Sequence, residues 1–325
     1  MPAANHVKSG MQQRIAYGST AVAMLVLLFL LDIEIARQSL RWEGLVGDLL
    51  SRGSILPVAF LVIVLRGAFE LNRLMRSSGA RPHARFAYWM IALLVLTPWF
   101  SAAGWLGSDP TDVKGLYWQL VWMIVAVTGT GFLSVLRRDP AGTIRDAGAT
   151  LLMVFHLGFL SAFAVQLRSG RDVPDQEGAW LLLIVVLTIK ASDIGAYFTG
   201  RLIGRHKLIP SISPGKSVEG AIGGLIASAA LAMVIAQQQW ISVPFGIVET
   251  PGGLSPLWRA LIFGVLLSAA GQLGDLVESC FKRDAGSKDS GAVIPQFGGI
   301  LDLIDSPLVA VPVGWFLLTK VWDVV

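Results

Sequence analysis

The sequence predicts an all-α integral membrane protein, a polytopic helical bundle of about nine transmembrane helices with the N-terminus inside and the C-terminus outside. Three observations carry this prediction. The 325 residues are 54% hydrophobic and 15% charged, with a mean hydropathy of +0.64, a more apolar balance than soluble domains show. Apolar runs long enough to cross about 30 Å of hydrocarbon recur along the whole chain. The cations fall between these runs, so the net charge of +4 is explained by loops and implies no nucleic-acid partner.

The runs lie at 15–33, 49–66, 86–106, 116–136, 147–167, 178–199, 218–237, 257–275 and 300–320. The second is short and the last three carry polar residues at one end, which leaves eight spans as the alternative count. A polar tail, 1–14, precedes the first run. That run continues into Asp32 and Glu34 without a small-residue cleavage site and is read as a retained span, not a signal peptide. Residues 15–189 then form an N-terminal membrane region of five to six spans. Residues 190–325 form a C-terminal catalytic region with two long polar loops, 200–217 and 276–299. The earlier spans carry little chemical signal; they are read as the lipid side of the site and any subunit contact, with a homodimer as the candidate assembly.

Lys and Arg favour one side of these spans by roughly two to one, which places the N-terminus and both long loops in the cytoplasm. Between the second and third runs, Phe69, Leu71, Leu74 and Met75 interleave with Arg73 and Arg76. This pattern suits a short amphipathic helix on an anionic leaflet, and equally a solvated connector.

Candidate chemistry gathers at the cytoplasmic ends of the last four spans. Asp302 and Asp305 stand at i and i+3, as do Asp275 and Glu278 one span earlier, so each pair shares a helix face. Clustered carboxylates repel unless a cation neutralises them, and Mg²⁺ takes one or two carboxylates with waters and substrate phosphates. The alternative is a set of solvated helix ends paired with Lys282, Arg283 or Lys288. Lys190 and Asp193, again at i and i+3, are intramembrane charges and so functional candidates, or an ion pair that fixes packing. The loop that follows offers Arg201, Arg205, Lys207 and Lys216, hydroxyls at Ser211, Ser213 and Ser217, and Gly215, a composition suited to polyphosphate. Glu219 opens the seventh span, where a capping role competes with a functional one.

Other chemistries lack support. Cys280 is the only cysteine, which excludes an intrachain disulfide and a multi-thiolate zinc site. "SPGKS" is not a P-loop: Pro210 stands where the motif needs glycine, and no buried strand precedes it. The four histidines show no ligand spacing, and no hydrolase or zinc-protease pattern occurs.

Two stretches, "SDIGAYFTGRLIGRHKLIPSISPGKSVEGAIGG" and "ESCFKRDAGSKDSGAVIPQFGGILDLIDS", together resemble the loops of the phosphatidate cytidylyltransferase (CDP-diacylglycerol synthase) family. Asp193, Tyr197, Gly200, Lys207, Ser213, Pro214, Lys216, Glu219 and Gly220 match in the first. Ser279, Lys282, Arg283, Lys288, Asp289, Pro295, Gly298, Gly299, Asp302 and Asp305 match in the second. "ELNRLMRSSGARP", Glu70 to Pro82, is a weaker echo of an earlier loop. The chain departs from the family signature at Phe297 and Leu303, where the pattern has His and Arg.

The resemblance implies transfer of a cytidylyl group from CTP to phosphatidic acid at the cytoplasmic face of the cell membrane. It implies Asp275, Asp302 and Asp305 as Mg²⁺ ligands, with room for a second cation. Lys207 and Lys216 would meet phosphate charge, with Lys282, Arg283 and Lys288 completing the catalytic set and Asp193 orienting it. Ser213, Pro214, Ser217, Glu219, Gly298 and Gly299 would bind substrate. Two alternatives remain open: a CTP-dependent kinase of a lipid alcohol such as polyprenol, and an ion-coupled transporter using Lys190 and Asp193.

Overall fold

The computed structural model describes residues 24, 26–39, 41–42, 44–106, 114–170, 177–238, 254–287, 289–291 and 298–322. In chain order the elements are α1 (26–39), α2 (Leu45–Ser51), α3 (Ile55–Ser77), α4 (Ala84–Ala102), α5 (Lys114–Leu136), α6 (Thr143–Met153), α7 (Leu160–Ser169), α8 (Glu177–Ile203), β1 (Lys207–Ile209), β2 (Ser213–Ser217), α9 (Val218–Ala236), α10 (Pro256–Asp284) and α11 (Leu301–Phe316). A π-helical turn, Val154–Phe159, joins α6 to α7, and another, Leu317–Val321, extends α11.

Among the described residues, eight helices have the length and composition of membrane spans: α3, α4, α5, the joined α6–α7, α8, α9, α10 and the extended α11. The protein is accordingly an integral membrane protein. The first apolar run lies partly outside the described residues, and its described part, α1, continues to residue 39.

Several boundaries differ from the sequence expectation. The run at 49–66 is divided: α2 stops before Gly53, whose φ is +78°, and α3 starts at Ile55. Asp32 on α1 sets this break, because its Oδ1 accepts the amides of Ile55 (2.9 Å) and Leu56 (3.1 Å). Free amides at a helix start need such an acceptor. The other oxygen, Oδ2, accepts from Arg168 Nε at 2.5 Å, and both side chains are fully buried. Asp32→Asn removes the charge that balances the guanidinium, so it should lower the unfolding free energy by about 3 kcal/mol, read as a lower thermal midpoint in detergent.

Helix α3 also runs eleven residues beyond the predicted end and takes in the stretch read as an amphipathic helix or connector. Leu71, Leu74 and Met75 are buried there against protein with Glu70, whereas Phe69 faces outward. Helices α8 and α10 likewise run past their predicted ends, to Ile203 and Asp284. At 1.5 Å per residue their 27 and 29 residues span about 40 Å, longer than the hydrocarbon core is thick. Lys282 and Arg283 are therefore helical, not loop residues, and residue 190 falls inside an unbroken α8. The first polar loop is partly a small antiparallel hairpin, with Lys207 opposite Ser217 and Ile209 opposite Ser213, the one sheet among the described residues of an otherwise helical chain.

The core has two apolar clusters. One gathers Phe163, Leu181, Phe263, Leu267 and Leu318 from α7, α8, α10 and the end of α11. The other gathers Leu71, Ile91, Leu94, Leu157 and Leu301 from α3, α4, the π turn and the start of α11. Outward-facing Ile124, Val127, Phe132 and Val135 on α5 form the kind of surface lipid covers. Helices α8 and α9 pack through glycine: a Cβ at Gly195 would strike Ala227, and one at Gly223 would strike Thr199. Small residues let membrane helices approach this closely, and here they bring the hairpin over the end of the bundle.

Candidate active site at one end of the bundle

A cavity of about 590 Å³ opens where the C-terminal turns of α8 and α10 meet the N-terminal turns of α9 and α11. Helix α8 supplies Lys190, Asp193, Tyr197 and Arg201; the hairpin and α9 supply Gly215, Lys216, Ser217 and Gly220; α10 supplies Gln272 and Asp275; α11 supplies Asp302, Asp305 and Ser306. The i, i+3 spacings read from the sequence thus converge on one space. Polar bonds fix the helices around it. Ser192 and Ser268 hydroxyls lie 2.6 Å apart, joining α8 to α10. Gln272 Nε2 donates to the carbonyl of Ala221 at 3.1 Å, joining α10 to α9.

The carboxylates fall into two groups. Asp275, Glu278 and Asp305 each place an oxygen within 4.8 Å of the others. Glu278 is fully buried; its Oε2 accepts from Lys282 Nζ at 2.6 Å and its Oε1 has no hydrogen-bond partner among the described residues. Asp305 is 7% exposed, takes one short bond from the Ser306 amide, and has no cation at ion-pair distance among the described residues. Asp275 is held by Lys216 Nζ at 2.6 Å. Buried carboxylates this close, one lacking a cation and another keeping a free oxygen, suit a hard divalent ion with oxygen ligands.

Asp302 belongs to the second group. Its Oδ1 accepts from Lys282 at 2.7 Å, while its Oδ2 accepts from Ser290 Oγ at 2.7 Å and from the Gly299 amide at 2.6 Å. The carboxylate trio that the structure brings together, and that could hold a metal ion, is therefore Asp275, Glu278 and Asp305, with Asp302 bonded to Lys282 beside it. The sequence pairs Glu278 with Asp275 on one helix face, and the lysine at i+4, Lys282, is its ion-pair partner.

The remaining candidates divide in the same way. Asp193 accepts from Lys190 at 3.0 Å, so the alternative reading as an ion pair holds, and both residues also line the cavity. Lys216 and Ser217 line it, and Ser217 also caps α9 by accepting from the Gly220 amide at 3.1 Å. Lys207, Ser213 and Pro214 lie in the hairpin but not in the described cavity wall. Arg283 anchors that hairpin, donating Nε to the Ile212 carbonyl at 3.0 Å. Glu219 points to the chain before the hairpin, where its carboxylate takes the Arg205 and His206 amides and lies 2.6 Å from His206 Nδ1. Gly298 has a φ of +91°, and a Cβ there would crowd the Asp302 carboxylate; with Gly299 it shapes the approach of backbone to Asp302. Lys288 and Phe297 lie outside the described residues, and Leu303 is 40% exposed on α11.

Glu70 and Ser290 were not singled out in the sequence. Glu70, 1% exposed on α3, accepts the Leu301 amide at 2.9 Å, and Arg73 Nη2 donates to the Ser290 carbonyl at 2.6 Å. The weak "ELNR" echo is thus the point where α3 grips the start of α11.

Fold and site together define a class: a polytopic membrane protein with an acidic cleft, edged by lysines, at one end of its bundle. The chain belongs to the cytidylyltransferase family, which it matches over residues 44–321. Among its relatives, the phosphatidate cytidylyltransferase of Staphylococcus saprophyticus is 42% identical over 176 residues, covering 54% of this chain and 60% of the relative. The phosphatidate cytidylyltransferase of Staphylococcus epidermidis is 39% identical over 175 residues with the same coverage. An uncharacterized Escherichia coli protein, YnbB, is 32% identical over 234 residues, 72% of this chain and 70% of the relative. The matched segment spans about 60% of the length of the phosphatidate cytidylyltransferases.

Proposed function

We propose that the chain transfers a cytidylyl group from CTP to phosphatidic acid, giving CDP-diacylglycerol and pyrophosphate, at the cytoplasmic face of the cell membrane. The observation that carries this reading is the convergence of Asp275 and Asp305 with Lys216 and Lys190 in one cleft at the bundle end, the buried Glu278 lying within 4.8 Å of both carboxylates, in a chain of this family. Cations cluster at that end of the spans, which supports a cytoplasmic site by the positive-inside rule. A lipid phosphate at the leaflet and a soluble nucleotide would reach the cleft without crossing the membrane.

The reaction joins two anions. A phosphate oxygen of phosphatidic acid attacks the α-phosphorus of CTP, the bond from that phosphorus to the α,β-bridging oxygen breaks, and pyrophosphate leaves with the electron pair. Little covalent work falls to the protein, so positioning and charge compensation carry catalysis. Lys216, on the hairpin above the acidic trio, is placed to meet phosphate oxygens as it releases Asp275. Lys190 and Arg201 line the wall where a second phosphate would lie. Asp275, Glu278 and Asp305 would hold Mg²⁺, which when bound screens phosphate charge and polarises phosphorus–oxygen bonds. Lys282 keeps Glu278 and Asp302 fixed, while Asp305 lines the cleft with the buried Glu278 behind it.

The test is conversion by the purified full chain in detergent, with CTP, phosphatidic acid and Mg²⁺. The expected result is CDP-diacylglycerol and pyrophosphate in equal amounts, lost when the divalent ion is chelated and restored on its return. Lipid flux into liposomes without a chemical product would favour the transporter instead.

A further inference from the structure

We infer that Glu70 is a positioning residue for the carboxylates of α11, acting from a helix on the far side of the sequence. The inference deepens the proposed function and rests on it for the activity arm of its test. Helix α11 begins at Leu301, and Ile300 before it offers no side-chain cap. The Leu301 amide is instead taken by Glu70 Oε2 at 2.9 Å, so a carboxylate 231 residues earlier does what an N-cap does locally and also favours the positive end of the helix dipole.

The same oxygen lies 3.3 Å from Ser290 Oγ. That hydroxyl has a single proton, and its closer partner is Asp302 Oδ2 at 2.7 Å. Arg73, one turn along α3, holds the Ser290 carbonyl at 2.6 Å, so one face of α3 fixes both the serine and the helix start. Glycine lets these groups meet: a Cβ at Gly299 would collide with Ser290 Oγ and Glu70 Oε2.

Asp302 and Asp305 stand in the first turns of α11, so the register and tilt of those turns decide where both carboxylates sit. A buried carboxylate is costly. Glu70 keeps one oxygen on the Leu301 amide, while its other has no hydrogen bond among the described residues, with Arg66 3.6 Å away. Gluing α3 to α11 would need only apolar side chains, as Leu71 and Leu301 already provide. Groups that orient metal-binding or catalytic residues in this way typically change affinity or activity about 10- to 100-fold when removed.

The experiment compares wild type, Glu70→Ala and Glu70→Gln as full chains in detergent, with Mn²⁺ binding read by electron paramagnetic resonance, steady-state kinetics and the thermal midpoint. Glu70→Ala should weaken Mn²⁺ binding and lower kcat, each about tenfold or more, with KM for CTP changed by less than about twofold. Glu70→Gln, whose amide oxygen still accepts from Leu301, should restore most of the Mn²⁺ affinity. Wild-type Mn²⁺ affinity in Glu70→Ala, with only the midpoint lowered, would overturn the inference, as would a glutamine variant no better than alanine. If Glu70→Ala does not fold, Glu70→Asp carries the test, because it keeps the charge on a side chain one methylene too short for the Leu301 amide; unchanged Mn²⁺ binding there would also overturn it. A wild type that binds Mn²⁺ but makes no nucleotide-lipid overturns the assigned reaction alone, and the Mn²⁺ comparison still decides the role of Glu70.

Discussion

Asp305→Asn should lower kcat/KM by about 10³-fold, about 4 kcal/mol of transition-state stabilisation, while leaving the thermal midpoint unchanged or higher. The two halves of this prediction have one cause. Asp305 is buried, sits within 4.8 Å of Asp275 and Glu278 oxygens, and has no cation at ion-pair distance among the described residues. Without a bound ion its charge opposes folding, so an amide of the same shape relieves repulsion. With substrate and ion present, the same charge is what the site requires. A variant that melts at or above the wild-type temperature yet has lost turnover separates chemistry from folding; the check is a melting curve beside initial rates. An Asp305→Asn protein with wild-type rates would remove Asp305 from the acidic trio's function.

Lys282→Met should have the opposite profile, losing both stability and activity. Lys282 Nζ is 2.6 Å from Glu278 and 2.7 Å from Asp302, and its side chain is only 13% exposed. Methionine keeps the length and apolar stem but leaves two carboxylates without their cation. Removing one partner from a buried pair costs about 3–5 kcal/mol, and a lysine that serves two partners stands at the upper end. Adding Asp302→Asn should recover part of the lost midpoint but not the turnover. The double variant would therefore measure how much of Lys282's contribution is neutralisation and how much is geometry.

Much of this site can be read from local spacing. Asp275 with Glu278, Asp302 with Asp305 and Lys190 with Asp193 are each three residues apart, and on a helix that alone places them on one face. Two limits of local reading explain the rest. Spacing does not say which carboxylate a buried lysine takes: Lys282 bonds both Asp302 and Glu278, and it is Glu278 that lies within 4.8 Å of Asp275 and Asp305. The Glu70–Leu301 bond joins residues 231 apart, and no periodicity in the sequence relates α3 to the start of α11.

The helix ends have a different explanation. Hydropathy falls at Arg66, Arg201 and after Asp275, and the expected spans stop near there. Helices α3 and α10 continue with their last turns bonded to protein: Arg73 to Ser290, Lys282 to Asp302, Arg283 to the hairpin. The hairpin reads from sequence only as part of a polar loop, since three- and five-residue strands around Ser211 are too short to give an alternating pattern.

The most direct test of the central claim, that the acidic cleft joins the cytidylyl group of CTP to a lipid phosphate, follows the label. Purified protein is given phosphatidic acid and a polyprenol in turn, with CTP carrying radioactive phosphorus at either the α or the γ position, and the lipid fraction is counted for wild type and Asp305→Asn. The account predicts α-label in lipid with phosphatidic acid, no γ-label in lipid, and loss of the signal in the variant. Label entering lipid from the γ position, with the polyprenol as acceptor, would contradict it and identify a lipid-alcohol kinase.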